Sequence, residues 1–253
     1  MSLRKKFTGT GIAIVTPFNA DGTIDWKSFE NCIEFWIKGK VEYLVVLGTT
    51  GESATVHGKE KQEVFSFVSK KVNGRIPLVA GIGGNDTSEI AHAFKTFDLT
   101  GYDAILSVSP YYNKPNALGY FKHYKAIAQA SPLPLILYNV PGRTGSNMPA
   151  DIQLKLAHEF KSIIATKEAS GNIEQMMHII KHKPKAFKLL SGDDNLTLPA
   201  MACGASGVIS VVANAFPNEF STMVKHCQNA QFNLAQKLHY KLFHFTQLLF
   251  ADG

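Results

Sequence analysis

The stretch PLVAGIGGNDTSEIAHAFKTFDLTGYDAILSVSP, residues 77–110, carries one full period of the pattern that decides the fold. It opens on a short apolar run, PLVAGIG (77–83), crosses a mixed segment of helical length (87–101), and returns to a second apolar run, AILSVSP (104–110). Two strands joined through a helix read as parallel neighbours, because parallel pairing needs a crossover. Both runs are apolar at nearly every position, as in a sheet covered on both faces.

The unit recurs in both directions along the chain. Further runs are GIAIVTPF (11–18), YLVVLG (43–48), PLILYNV (134–140), IIATKEAS (163–170), FKLLSG (187–192) and GVISVVAN (207–214), which makes eight strand candidates. Between them lie segments such as DWKSFENCIEFWIKG (25–39), where Phe29, Cys32, Ile33 and Trp36 share one helix face, and KEKQEVFSFVSKKVNG (59–74), where Val64, Phe65 and Val68 do. Gly39, Gly74 and Gly101 stand where helices would end.

Eight strand–helix units in 253 residues predict an α/β chain folded as a (β/α)8 TIM barrel. A doubly wound open sheet is the alternative, and for a dinucleotide it would need a Gly-rich first turn. GTGIAI at Gly9 lacks the third glycine and GIGGND at Gly81 falls short too, so both read as tight turns. PNEFSTMVKHCQ (217–228) supplies the last barrel helix, and NLAQKLHYKLFHFTQLLF (233–250) a further helix outside it. The expected organisation is a barrel over 1–228 and, over 229–253, the start of a C-terminal helical extension that reads as truncated.

Composition bounds the function classes. Hydrophobic residues are 45% and charged residues 18%, ordinary for a globular chain with a large core. No run nears the roughly 18–20 apolar residues of a membrane span, and MSLRKKFTGTG leads into no apolar signal segment. Three scattered cysteines without a C-x-x-C predict a reducing, cytoplasmic compartment. The net charge of +6 is spread along the chain; its densest run, KHKPKAFK (181–188), reads as a solvated face, and no nucleic-acid motif accompanies it.

In a barrel the strand C-termini face the active site. Those ends carry Thr16, then Thr49, Thr50 and Glu52, then Asn85, then Tyr111 and Tyr112, then Tyr138, Asn139 and Arg143, then Lys167 and Glu168, then SGDD (191–194), and finally Ser210 and Asn214. There is no H-E-x-x-H, no His–carboxylate cluster at metal spacing, no G-x-S-x-G elbow and no Walker loop, so no metal or cofactor is expected. His92, His123, His178 and His226 read as surface or capping residues. The two acids of SGDD argue against a phosphate site.

A lysine, tyrosines, paired hydroxyls and one arginine remain. By the period of two, Lys167 points inward with Ala165 and Ile163, beside Tyr138 on the preceding strand. An amine held in apolar surroundings has its charged form disfavoured and becomes nucleophilic toward a ketone. A nearby phenol can move the protons that imine formation requires. A structural ion pair between Lys167 and a neighbouring acid is the competing reading.

GTTGES, SPYYNKP, YNVPGRTG, ATKEASGN, LLSGDD and GVISVVAN together, in this order and at matching strand ends, resemble the dihydrodipicolinate synthase family, within the pyruvate-dependent class I aldolase / N-acetylneuraminate lyase superfamily. The likeness runs from about Gly9 to the end of the chain. It implies a lyase of lysine and diaminopimelate biosynthesis that condenses pyruvate with L-aspartate 4-semialdehyde. Lys167 would form the Schiff base, Tyr138 would be the general acid–base, and Thr49 and Tyr112 would complete a proton relay, Tyr112 reaching in from a neighbouring subunit of a dimer or tetramer. Thr50 would bind the pyruvate carboxylate, Arg143 the carboxylate of the aldehyde substrate, and Gly192 and Ile209 would line the pocket. Related aldolases and lyases share the lysine and tyrosine but usually lack an arginine at the place of Arg143. Another pyruvate-dependent aldolase and a non-catalytic barrel scaffold are the alternatives.

The chain departs from the family pattern twice. Relatives usually carry more helices after this point. Many are also inhibited by lysine at a site that Ser53, Ala54, Asn85, Glu89 and Tyr111 match, but inhibited members tend to carry His or Glu where this chain has Lys61. A cation there repels the inhibitor's ammonium, so weak or absent lysine inhibition is expected.

Overall fold

A computed structural model describes residues 7–251. Eight parallel strands close into a barrel in chain order: β1 Gly9–Ala13, β2 Tyr43–Val46, β3 Leu78–Gly81, β4 Ala104–Val108, β5 Leu135–Asn139, β6 Ile163–Glu168, β7 Lys188–Ser191 and β8 Gly207–Ser210. The last pairs with the first through Gly9↔Gly207 to Ile12↔Ser210, so no strand is left as an edge. Around them run α1 Trp26–Lys38, α2 Gly58–Val72, α3 Thr87–Thr96, α4 Ala117–Ala130, the short α5 Pro141–Thr144, α6 Ala150–Glu159, α7 Ile173–His182, α8 Thr197–Ala202, α9 Pro217–Gln228 and α10 Phe232–Leu248.

Strand alternation sorts the side chains into two layers. Ala13, Tyr43, Val45, Val79, Leu106, Ile136, Ala165, Leu190 and Ile209 fill the barrel, with Phe7 set edge-on to Tyr43 at 5.4 Å. Ile12, Leu44, Val46, Leu78, Ile105, Leu135 and Leu189 face outward against the helices. The predicted helix faces pack as expected: Phe29, Ile33 and Trp36 on α1, and Val64, Phe65 and Val68 on α2, are buried.

Several expectations need correction. Ile163 does not point inward. The β5–β6 register slips between Leu135 and Ile136, pairing Leu135 with Ile163 but Ile136 with Ala165. The extra residue, Ile164, places Ile163 in the outer layer while Ala165 and Lys167 keep the inner one. Gly101 does not end a helix. α3 stops at Thr96, and Asp98 turns the chain by accepting from the Thr100 backbone N–H (2.9 Å) and hydroxyl (2.6 Å). The basic run is not uniformly solvated: Lys183 donates to the Phe187 carbonyl at 2.7 Å, and the Lys188 ammonium is buried with no hydrogen-bond partner among the described residues. Burial and the nearby Lys183 lower the Lys188 pKa to about 8.

His123 is no surface residue either. It is 6% exposed on α4, its Nδ1 lies 2.8 Å from the Thr87 hydroxyl, and its ring stands edge-on to Tyr124. Burial lowers its pKa from the ordinary 6.5 to about 4. The folded state therefore refuses a proton that the unfolded chain accepts. This contribution to stability is full above 6.5 and is lost as pH falls toward 4; a shift of this size corresponds to about 3 kcal/mol. Melting temperature is expected to fall less steeply with acidification in His123→Gln than in the parent. Equal slopes would assign the acid loss to other groups.

Candidate active site

The barrel's C-terminal mouth gathers the predicted residues on short, constrained loops. β2 exits through Leu47 and a 3-10 turn, Thr49–Gly51, to Glu52. Leu47 and Glu52 hold left-handed backbone, with φ of 54° and 56°, conformations that persist only where the surroundings impose them. Gly81 at the end of β3 makes room for this turn, since a Cβ there would lie 2.2 Å from the Leu47 carbonyl oxygen. Thr16 ties the turn to the first strand by donating to the Gly51 carbonyl at 2.8 Å.

Tyr138 and Lys167 are register partners on β5 and β6. The Lys167 Nζ lies 4.2 Å from the centroid of the Tyr138 ring. Lys167 is 3% exposed and forms neither a hydrogen bond nor an ion pair with the described residues. The Tyr138 ring thus covers the amine, which has no hydrogen-bond partner among the described residues. Gly192, after β7, packs on the stem: a Cβ there would stand 3.0 Å from Lys167 Cε and 2.7 Å from Ala169 Cβ. Ile209 closes the inner wall.

The competing structural reading, an ion pair with a neighbouring acid, finds no acid within salt-bridge distance of Lys167 among the described residues. Glu168 has the opposite parity and leaves the barrel. It accepts from Asn139 Nδ2, Gln153 Nε2, Gln175 Nε2 and the Ser170 backbone N–H, at 2.8–3.1 Å. The other acid of this end, Asp194, accepts from the Ser210 hydroxyl and the Val211 and Val212 amides. Burial raises the Asp194 pKa, against those donors and the charge of Lys167. Neither acid was read from the sequence as a buried anchor. The signal for Glu168 was present in the spacing of Thr166 and Glu168, two polar residues on the outward parity of an otherwise apolar strand.

A cavity of about 670 Å³ counts Thr49, Tyr138 and Arg143 among its lining residues. Ser53, Ala54, Lys61, Asn85, Glu89 and Tyr111 line the same cavity, so the whole candidate effector set shares the space. Asn85 donates to the Tyr111 carbonyl there at 3.2 Å, and burial lowers the pKa of Lys61. Lys167 does not line the cavity; Tyr138, whose ring covers its amine, does. Thr50 is half-buried behind Thr49 and outside the lining. Tyr112 is not brought to Tyr138 within the chain: it is 84% exposed, with φ of 66°. Among the described residues no group of three or more His, Cys, Asp or Glu is arranged to hold a metal ion.

Comparison with known proteins agrees with this geometry. The model of the dihydrodipicolinate synthetase family matches residues 6–253. The chain is 49% identical over 245 residues to the 4-hydroxy-tetrahydrodipicolinate synthase of Parabacteroides distasonis, covering 97% of this chain and 82% of that protein. Dihydrodipicolinate synthase from Aquifex aeolicus superposes with a TM-score of 0.93 at 40% identity, over 96% of this chain and 83% of that one. The chloride-inhibited dihydrodipicolinate synthase from Acinetobacter baumannii, solved with pyruvate, gives 0.94 at 39% identity, over 97% and 84%.

Proposed function

Since the chain belongs to the dihydrodipicolinate synthetase family, we propose that it catalyses the 4-hydroxy-tetrahydrodipicolinate synthase reaction, condensing pyruvate with L-aspartate 4-semialdehyde. The observation that carries the reading is the buried, unpaired Lys167 amine 4.2 Å from the Tyr138 ring at the floor of the mouth.

The amine adds to the ketone carbon of pyruvate. Tyr138 delivers a proton to the departing oxygen, water leaves, and an iminium forms. Loss of a methyl proton gives the enamine, whose carbon bonds to the aldehyde carbon while the aldehyde oxygen takes up a proton. The substrate's own amine then closes onto the imine carbon and releases Lys167. Thr50 holds the pyruvate carboxylate through its hydroxyl and amide. Arg143, exposed on α5 and lining the cavity, suits the carboxylate of the second substrate because its fork meets two oxygens. Thr49 extends the proton path from Tyr138, and Gly192 and Ile209 shape the floor.

Tyr112 completes that path only if a second subunit presents it, which its exposure supports, so the active species is a homo-oligomer. The barrel, 1–228, holds the chemistry, and α10, within 229–253, lies outside it. The unpaired Cys32, Cys203 and Cys227 suit the cytoplasm, and no described helix is long and apolar enough to cross a membrane. The set around Lys61 is an effector site in which the ammonium repels a cationic amino acid. Lysine is expected to inhibit weakly, and an inhibition constant in the low micromolar range would refute this.

The deciding experiment is intact mass after pyruvate and borohydride. Hydride delivered to the imine carbon fixes the substrate as a stable amine, and the adduct maps to Lys167. Folded protein that gains no mass sinks the Schiff-base mechanism.

A further inference from the structure

Glu168 is a fully buried carboxylate, 0% exposed, and among the described residues no cation pairs with it. Its partners are four neutral donors: Asn139 Nδ2 (2.9 and 3.1 Å to the two oxygens), Gln153 Nε2 (2.8 Å), Gln175 Nε2 (3.0 Å) and Ser170 N–H (3.0 Å). A carboxylate offers about four lone-pair sites, so supply and demand match. Burying a charge this way is costly, and its location indicates what the arrangement serves.

The three side-chain donors are each fixed a second time, next to a residue of the mouth. Asn139 follows Tyr138 on β5, and its Oδ1 accepts from the Met148 N–H at 2.9 Å. Gln153 accepts from the Thr166 hydroxyl at 2.6 Å and donates to the Met148 carbonyl at 3.0 Å. Gln175 exchanges hydrogen bonds with Asn147 at 2.9 and 3.2 Å. Thr166 and Glu168 flank Lys167, Asn139 flanks Tyr138, and Asn147–Met148 close the loop that carries Arg143. One carboxylate outside the barrel therefore holds the backbone on both sides of the reacting amine and beside its proton donor.

We propose that Glu168 is the positioning residue of this site: through Asn139, Gln153 and Gln175 it sets the distance and facing of Lys167 and Tyr138, without touching substrate. The inference rests on the Schiff-base reading of Lys167. A displacement of about 1 Å in such a pair costs on the order of a hundredfold in rate, whereas the pocket that binds pyruvate is left in place.

The test compares the parent, Glu168→Gln and Gln175→Ala for the rate of pyruvate adduct formation under borohydride, for kcat and KM, and for melting temperature. Glutamine at 168 keeps the shape but offers one acceptor oxygen and turns an NH2 toward donors. The expected result is a fall in both trapping rate and kcat of about ten- to a hundredfold, with the pyruvate KM within about twofold because uniform binding is untouched. Gln175→Ala, half-exposed on α7, is expected to fold in any case and to show a smaller loss with the same split. If Glu168→Gln does not fold, Gln175→Ala decides alone. Folded variants that trap pyruvate at the parental rate overturn the proposal, as does a loss confined to KM. Absence of an adduct in the parent is a different outcome and removes the Schiff-base mechanism itself.

Discussion

Lys167→Met is expected to abolish turnover while leaving the protein as stable as the parent or more so. The two halves have one cause. Lys167 is 3% exposed and lacks a hydrogen bond or ion pair with any described residue, so its burial carries a desolvation cost that only the Tyr138 ring and the more distant Asp194 charge offset. Methionine repeats the unbranched stem, keeps the contacts with Gly192 and the Tyr138 ring, and carries no charge. A gain of about 1–3 kcal/mol raises the melting temperature by roughly 2–4 °C per kcal/mol in a chain of this size. Loss of the nucleophile removes the covalent route, and kcat falls by at least about 10⁴-fold. Calorimetry and a coupled assay on the same preparation check both halves. A variant that melts well below the parent and keeps measurable turnover would make Lys167 a structural residue.

The legible part of this molecule is the part fixed by periodicity and by strand ends. Eight apolar runs alternating with amphipathic segments leave few parallel architectures, and a closed barrel then puts every strand's C-terminal residue at one mouth. Tyr138 and Lys167 were placed side by side from that alone, and the register pairs them. What the pattern did not carry depends on events between elements. The slipped β5–β6 register turns Ile163 outward without altering the apolar run that contains it. The Asp98–Thr100 turn ends α3 early because a side chain offers the backbone a better partner than the helix does. Glu168 follows Lys167 in the sequence, but strand alternation turns the two side chains to opposite faces. The partners of Glu168, Gln153 and Gln175, sit on helices that flank the strand, and no local rule pairs them with it. His123 followed the same course: a histidine in a mixed helix reads as surface until packing against Thr87 and Tyr124 shows which face turns inward.

Tyr138→Phe separates the two tasks of the tyrosine. Its ring covers the lysine amine at 4.2 Å, and its hydroxyl makes no hydrogen bond with the described residues. Phenylalanine keeps the ring, the 5% exposure and the inner-layer packing, so the melting temperature is expected to hold within about a degree or two, as for a substitution that breaks no bond. The proton donor is lost, however. Dehydration of the carbinolamine then has no positioned side-chain acid and relies on water. General acid–base groups contribute about 10²–10⁴-fold, and kcat is expected to fall within that range while the pyruvate KM moves little. Borohydride trapping discriminates further. If Tyr138 acts in imine formation, adduct growth slows in parallel with kcat. If it acts only in the later carbon–carbon step, the adduct forms at the parental rate and kcat alone drops. Retention of both rates would leave the ring's electrostatic cover of Lys167 as the tyrosine's only role, and the proton path would have to start from another group at the mouth, such as Thr49 on the cavity wall.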